Sequence, residues 1–244
     1  MIVQKELPIL SHKIKDGTVL IGSDFHIPFQ DKDAVDCFIS KAIELQPDSI
    51  VINGDLLDFY RLSRFSKGEG RNPMEEIEEA KAILKSLRRY CPDSKIFYPI
   101  GNHESRLEKY VYDRAPEIIS IIDNFYEILQ CETIGVKGCH KVIFNNEFIC
   151  KHGSLLGSKS SLSAIKEIER SFSSGATGHT HRLAKFITRK AERKFIWLET
   201  GCLCTMKPEY MLEPDWQQGF AVVEFRKGKL YKADVIEIED GKIL

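Results

Sequence analysis

TVLIGSD (residues 18–24) and DSIVINGD (48–55) are two short β-branched apolar runs, each closing on small and acidic residues. Such a run reads as a buried strand that delivers a carboxylate at its C-terminal end. Between them lies DKDAVDCFISKAIELQPD (31–48), with Ala34, Val35, Phe38, Ile39, Ala42, Ile43 and Leu45 on one helical face that stops before Pro47. Strand, helix and strand at this spacing make a βαβ unit. The two strands are therefore expected to be parallel, with their carboxyl ends on one edge.

Working outward, NPMEEIEEAKAILKSLRRY (72–90) has an Asn72 cap, Pro73 at the first helical position, acids in the first turn and arginines in the last. SKIFYPIGNHE (94–104) supplies a third strand ending in polar residues, and SRLEKYVYDRAPEIISIIDNFYEILQ (105–130) is helical on either side of a break near Pro116. HKVIFNNEFICKHGS (140–154) reads as a hairpin turning at Asn145 and Asn146, and SLSAIKEIERSF (161–172) as a helix. Residues 184–244 read as successive strands with turns near EPDWQQG, RKGK and EDGK. No linker divides the chain and no solenoid period repeats, so one domain spanning 1–244 is expected.

The totals bound the function. With 35 basic and 36 acidic residues, the net charge of -1 supplies no global field for a nucleic-acid backbone, so any such contact is local. MIVQKELPILSHKIKDG has neither a continuous apolar segment nor a small-residue cleavage site, and nothing later nears the roughly 18 apolar residues of a membrane span. A cytoplasmic protein without membrane attachment is expected. The seven cysteines form no CxxC pair, which argues against a disulfide framework or a four-cysteine zinc site and for reduced thiols in the core.

The strand ends collect five polar blocks: SDFH (23–26), NGDLLD (53–58), GNHE (101–104), KHGS (151–154) and TGHTH (177–181). Five of the seven histidines fall in them, leaving His12 and His140 as structural. In an open α/β sheet, sites form at the carboxyl ends of strands, so these blocks are expected to meet. Asp24, His26, Asp55, Asn102, His152, His179 and His181 offer oxygen and imidazole donors suited to divalent manganese, iron, zinc or nickel. Seven donors suffice for two ions if one carboxylate bridges. Two ions roughly 3.5–4 Å apart would hold a hydroxide and clamp both oxygens of an in-line displacement at phosphorus, which is phosphoester hydrolysis.

The series D-x-H, G-D-x-x-D, G-N-H-E, H-G and G-H-x-H, present in order as DFH, GDLLD, GNHE, HGS and GHTH from 24 to 181, resembles the calcineurin-like metallophosphoesterases. The resemblance implies an α/β fold, a four-layer αββα sandwich with two central mixed sheets flanked by helices. It implies one ion on Asp24, His26, Asp55 and His181 and another on Asp55, Asn102, His152 and His179, with Asp55 bridging. It makes His103 a non-ligand aimed at the scissile group as general acid, paired with Asp58. An imidazole acid benefits from a carboxylate that orients it and raises its pKa. Glu104 reads either as support for a metal-bound histidine or as a helix-start acid.

The substrate is less legible. FYRLSRFSKGEGRN (59–72) is either a lid, with Arg61 and Arg64 taking phosphate oxygens and Tyr60 stacking on a base, or a solvated loop with buried aromatics. KFITRKAERKF (185–195) reads as a solvated strand face. Phosphoprotein phosphatases continue the second block as D-R-G, whereas this chain reads DFY, which disfavours that branch. The expected activity is a phosphodiesterase acting on a nucleotide or nucleic-acid phosphate, with a phosphomonoesterase as the alternative. Some members of the fold lack ligands and act as non-catalytic interaction scaffolds; all seven positions and His103 being present favours the enzyme.

Overall fold

The computed structural model describes residues 7–63, 72–118, 125–207 and 214–244. In chain order the elements are β1 (Ile9–His12), β2 (Gly17–Gly22), α1 (Lys32–Leu45), β3 (Ser49–Ile52), α2 (Pro73–Tyr90), β4 (Lys95–Pro99), α3 (Ser105–Arg114), α4 (Phe125–Ile128), α5 (Cys131–Ile134), β5 (Val136–Cys139), β6 (Lys141–Phe144), β7 (Phe148–Cys150), α6 (Leu162–Ser171), β8 (Ser174–Thr177), β9 (Leu183–Lys190), β10 (Arg193–Thr200), β11 (Gly219–Arg226), β12 (Lys229–Glu239) and β13 (Lys242–Ile243).

They form two mixed sheets, ordered β1-β6-β7-β8-β10-β9 and β13-β12-β11-β2-β3-β4-β5. The βαβ expectation holds: β2 pairs with β3 in parallel, and β4 and β5 continue the parallel set. Alternation along β2 serves two cores. Val19 and Ile21 pack with Val51, Phe97, Val223, Phe144 and Leu198 between the sheets, whereas Leu20 packs with Ile50, Ile96, Phe38 and Leu84 beneath α1 and α2. On the far face of the other sheet, Ala164 and Ile168 of α6 cover Phe195 and Trp197. Helix, sheet, sheet and helix are the expected four layers.

Local signals explain the elements. Asn72 Oδ1 accepts from the Met74 N–H at 3.0 Å to start α2 behind Pro73, and the Asp31 side chain caps α1 in the same way. The β6–β7 turn has Asn145 and Asn146 at φ 52° and 57°, the left-handed pair that a two-residue reversal requires. Three strands have no sequence signal of their own: β1, β5 and β8. After Pro116 the described residues form a 3-10 turn at Pro116–Ile118 and the short α4 and α5, and 119–124, the middle of the expected second helix, lie outside the described residues. No described helix is long and apolar enough to cross a membrane.

Candidate metal centre

Beyond the sheet edge the loops after β2 and β3 keep running side by side. The Asp24 N–H donates to Gly54 O (3.1 Å), His26 N–H to Asp55 O (3.0 Å) and Ile27 N–H to Leu56 O (3.0 Å). Their backbones turn sharply: Asp24, His26 and Asp55, with His179 and His181 after β8, have φ between 50° and 68°. A left-handed non-glycine residue costs about 1–3 kcal/mol, so this strain is concentrated where five candidate donors sit. Gly54 (φ 88°) has no alternative, because a Cβ there would lie 2.6 Å from His152 Nδ1.

The donors meet as two groups. In the first, Asp24 Oδ1 is 3.7 Å from His26 Nε2 and 3.2 Å from His181 Nε2, and the two imidazole nitrogens face each other at 3.0 Å. In the second, His152 Nε2 lies 3.1 Å from Asp55 Oδ2 and 3.0 Å from Asn102 Oδ1, and the ligand atoms of Asp55, His152 and His179 fall within 4.8 Å of one another. Asp55 Oδ2 is also 3.8 Å from His26 Nε2, so it lies between the groups.

This donor chemistry fits divalent cations. Two imidazole nitrogens at 3.0 Å either share one N–H proton in a hydrogen bond or turn both lone pairs toward a common cation. Burial opposes a charge on His26, yet Asp24, Asp58 and Asp55 hold its pKa well above the usual histidine value. His152, opposed by burial but facing Asp55, is pushed up to about 9. Burial would raise the Asp24 and Asp55 carboxyls, yet the surrounding imidazoles hold both well below the carboxylate range. A field that favours extra protons here also favours a metal cation.

His103 stands beside these groups, its ring 4.4 Å from that of His26. Its Nδ1 is 3.2 Å from both Asp58 Oδ2 and Asp58 O. Burial and the charge on His26 lower its pKa despite Asp55 and Asp58. Asp58 has wider commitments than a partner of His103 alone, since Oδ2 lies 3.0 Å from His26 Nδ1 and Oδ1 accepts from Arg106 Nη1 at 2.7 Å.

Glu104 stands at the start of α3 as its N-cap residue. Its side chain makes no capping bond to α3; instead it accepts from Tyr98 Oη (2.7 Å) and from the backbone N–H of Gly101 (2.8 Å), Leu56 (2.8 Å), Asp55 (3.1 Å) and Leu57 (3.4 Å). It staples the loop carrying Asp55 to the one carrying Asn102. Burial and the adjacent Asp55 push it up to about 7 against those donors.

Of the residues expected at a lid, Tyr60 opens a 3-10 turn with its ring 5.3 Å from Phe29, Arg61 is exposed, and Arg64 lies outside the described residues. Phe59 is fully buried against Phe125 and belongs to the core.

Three neighbours of the site escaped the sequence reading. Arg106 reaches Asp58 and His103; its place three residues after His103, across the turn that starts α3, was the available signal. The Trp216 ring packs 4.2 Å from that of His181, although its segment reads only as a turn. Cys204 Sγ lies 3.9 Å from His181 Nδ1, and with Cys202 it makes a further donor group, so thiols do stand behind one imidazole. Cys202 and burial hold the Cys204 thiol well above its ordinary pKa, leaving a neutral S–H there.

Comparison with known proteins agrees with this architecture. The family profile described as calcineurin-like phosphoesterase matches residues 17–218. Gene 54 protein of Mycobacterium phage L5 is 27% identical over 242 residues, covering 92% of this chain and 94% of that protein. An uncharacterized metallophosphoesterase of Helicobacter pylori is 28% identical over 121 residues, 49% of this chain and 27% of that one. Among solved structures, Vacuolar Protein Sorting 29 from Cryptosporidium parvum shares the fold with a TM-score of 0.53 at 19% identity, covering 95% of this chain and 96% of that chain. Vps29 from Entamoeba histolytica, complexed with zinc, does so at 0.53 and 15%, covering 93% and 96%. With the motif series, the paired sheets and the profile in agreement, the chain belongs to the calcineurin-like phosphoesterase family.

Proposed function

We propose that the protein is a dinuclear metal-dependent phosphoester hydrolase, acting on a phosphodiester of a nucleotide or nucleic acid. Asp24, His26, Asp55 and His181 hold one ion, and Asp55, Asn102, His152 and His179 the other. The observation that carries this reading is the position of Asp55 Oδ2, 3.1 Å from His152 Nε2 and 3.8 Å from His26 Nε2, between two groups that each have their own histidines. Manganese is the first choice of ion, with iron, zinc or nickel as alternatives, since both groups are built from nitrogen and oxygen donors. When bound, such a pair supplies an acidified water and neutralises charge at phosphorus.

The chain's own residues do the rest. His26 Nδ1 is held by Asp58 and His152 Nδ1 by Asn53 O at 3.0 Å, so each ring turns its Nε2 inward. His103, oriented through Nδ1 by Asp58, uses Nε2 to protonate the leaving oxygen.

Turnover of bis-p-nitrophenyl phosphate and p-nitrophenyl phosphate, measured side by side with added manganese, tests the proposal. The diester is expected to be preferred. Monoester preference overturns the diesterase assignment, and no turnover of either by protein shown to contain two metals overturns the hydrolase.

A further inference from the structure

Arg106 lies on the first turn of α3, three residues after His103, which stands in the turn just before the helix, and its N–H bonds to His103 O at 2.9 Å. Its Nη1 donates to both the carbonyl and Oδ1 of Asp58, each at 2.7 Å. The side chain is only 21% exposed and that of Asp58 9%, so the guanidinium plane is fixed against a buried carboxylate. Nη2 then points at His103 Nε2, 3.1 Å away.

A guanidinium only donates, so in this contact Nε2 accepts and the imidazole proton is on Nδ1, facing Asp58; Nε2 can take up the proton it delivers to the leaving oxygen only once Nη2 has turned away from it. Two charged donors on Asp58 would suffice if Arg106 only anchored that residue. The remaining Nη2–H is instead aimed at the atom of His103 that faces the centre, where Nε2 is 3.8 Å from Asp55 Oδ2. A neutral imidazole nitrogen is a weaker acceptor than an anionic oxygen, which would form a charge-assisted bond with the same N–H. Among the described residues, Lys151 beside His152 pairs with Glu167 at 2.6 Å, and Arg182 beside His181 pairs with Asp215 at 2.7 Å and donates to Gly157 O at 2.7 Å.

We propose that Arg106 is a substrate-binding residue whose Nη2 donates to a non-bridging phosphoryl oxygen beside His103 Nε2. The assignment rests on the hydrolase reading above for the identity of the anion. It makes Asp58 the hub of one rigid unit, with His26 on one side, His103 on another, and the phosphate-binding guanidinium on the third.

Calorimetric titration of the manganese-loaded protein with orthophosphate tests this without turnover. Arg106→Ala and Arg106→Gln are each expected to weaken phosphate binding by roughly tenfold or more while keeping metal content and melting temperature. The KM for the diester should rise by a similar factor, with kcat falling less. Free guanidinium, at concentrations well below those that unfold the protein, should restore phosphate affinity to Arg106→Ala and not to Asp58→Ala. If Arg106→Ala loses metal or fold, Arg106→Gln, which retains an amide donor for the Asp58 carbonyl, decides the matter alone. A smaller loss of affinity in folded, metal-loaded variant, or no phosphate binding by the wild-type protein, overturns the assignment. Failure of the wild type to turn over either ester would instead strike the hydrolase reading, and the phosphate titration would still decide the role of Arg106.

Discussion

Asp58 Oδ2 lies 3.0 Å from His26 Nδ1, and this places a carboxylate directly behind an imidazole whose Nε2 faces the candidate metal centre. Such a partner fixes the tautomer and raises the basicity of the ligating nitrogen, and its loss typically costs 10- to 100-fold in metal affinity. Asp58→Asn is therefore expected to weaken metal binding by roughly that factor. Because Asp58 also faces His103, turnover should stay depressed even at saturating metal. Full activity at saturating metal would show that the tie to His103 contributes nothing.

His103 and Asp55 should separate chemistry from metal holding. His103 Nε2 is 3.8 Å from Asp55 Oδ2, yet Asp55 has two histidine-bearing groups to join, whereas His103 is held from behind by Asp58. His103→Ala is expected to keep its metals and lose roughly 10²- to 10⁴-fold in turnover, the usual worth of a positioned acid. Asp55→Asn should lose metal before anything else. Metal analysis of the two purified variants checks both, and the reverse pattern would exchange their roles.

The legible parts of the molecule are those whose signals are local. β2 and β3 announce themselves by β-branched runs, α2 by Asn72 and Pro73, and the site by motifs in which donors lie within a few residues of one another. β8 and β5 stay silent because their small residues answer to distant neighbours. A Cβ on Gly175 would meet Ile149 O at 2.5 Å and Trp197 at 2.7 Å, and one on Gly138 would meet the Tyr126 ring at 2.6 Å. Those glycines remove the apolar alternation that marks a strand. The same reason hides Trp216 and Cys204, which approach His181 through tertiary contacts such as the Gln217 N–H bonded to His181 O at 2.8 Å. Arg106 was visible as a near neighbour of His103 in sequence, but its bond to Asp58 spans 48 residues.

Glu104 is expected to be a stability residue with an indirect effect on the site. Truncation to Ala strips acceptors from the buried backbone N–H groups of Asp55, Leu56 and Gly101 and from Tyr98 Oη. Stranded buried donors cost about 1–3 kcal/mol each, so Glu104→Ala should lose about 3–5 kcal/mol in denaturant unfolding of the metal-free protein. Glu104→Gln, which keeps one acceptor oxygen, should lose less. Equal stability of Ala and wild type would remove the stapling role.

Glu76 makes a pH-dependent prediction away from the metal centre. Its side chain is fully buried on α2, where Oε2 accepts from the Phe59 N–H at 2.7 Å and Oε1 has no partner among the described residues. Burial outweighs that hydrogen bond and, with the nearby Asp58 charge, pushes the carboxyl up from 4.5 to about 8. The folded protein thus keeps a proton that the unfolded chain releases near pH 4.5. Between those values the native state binds more protons, so the slope of unfolding free energy against pH is negative for this group. Its stabilising contribution is complete below the unfolded pKa and is lost as pH rises through about 8. Glu76→Gln keeps an acceptor for Phe59 and removes the titration. Its melting temperature should therefore fall less than that of the wild type between about pH 6 and pH 9. Parallel melting curves across that interval would place the proton elsewhere.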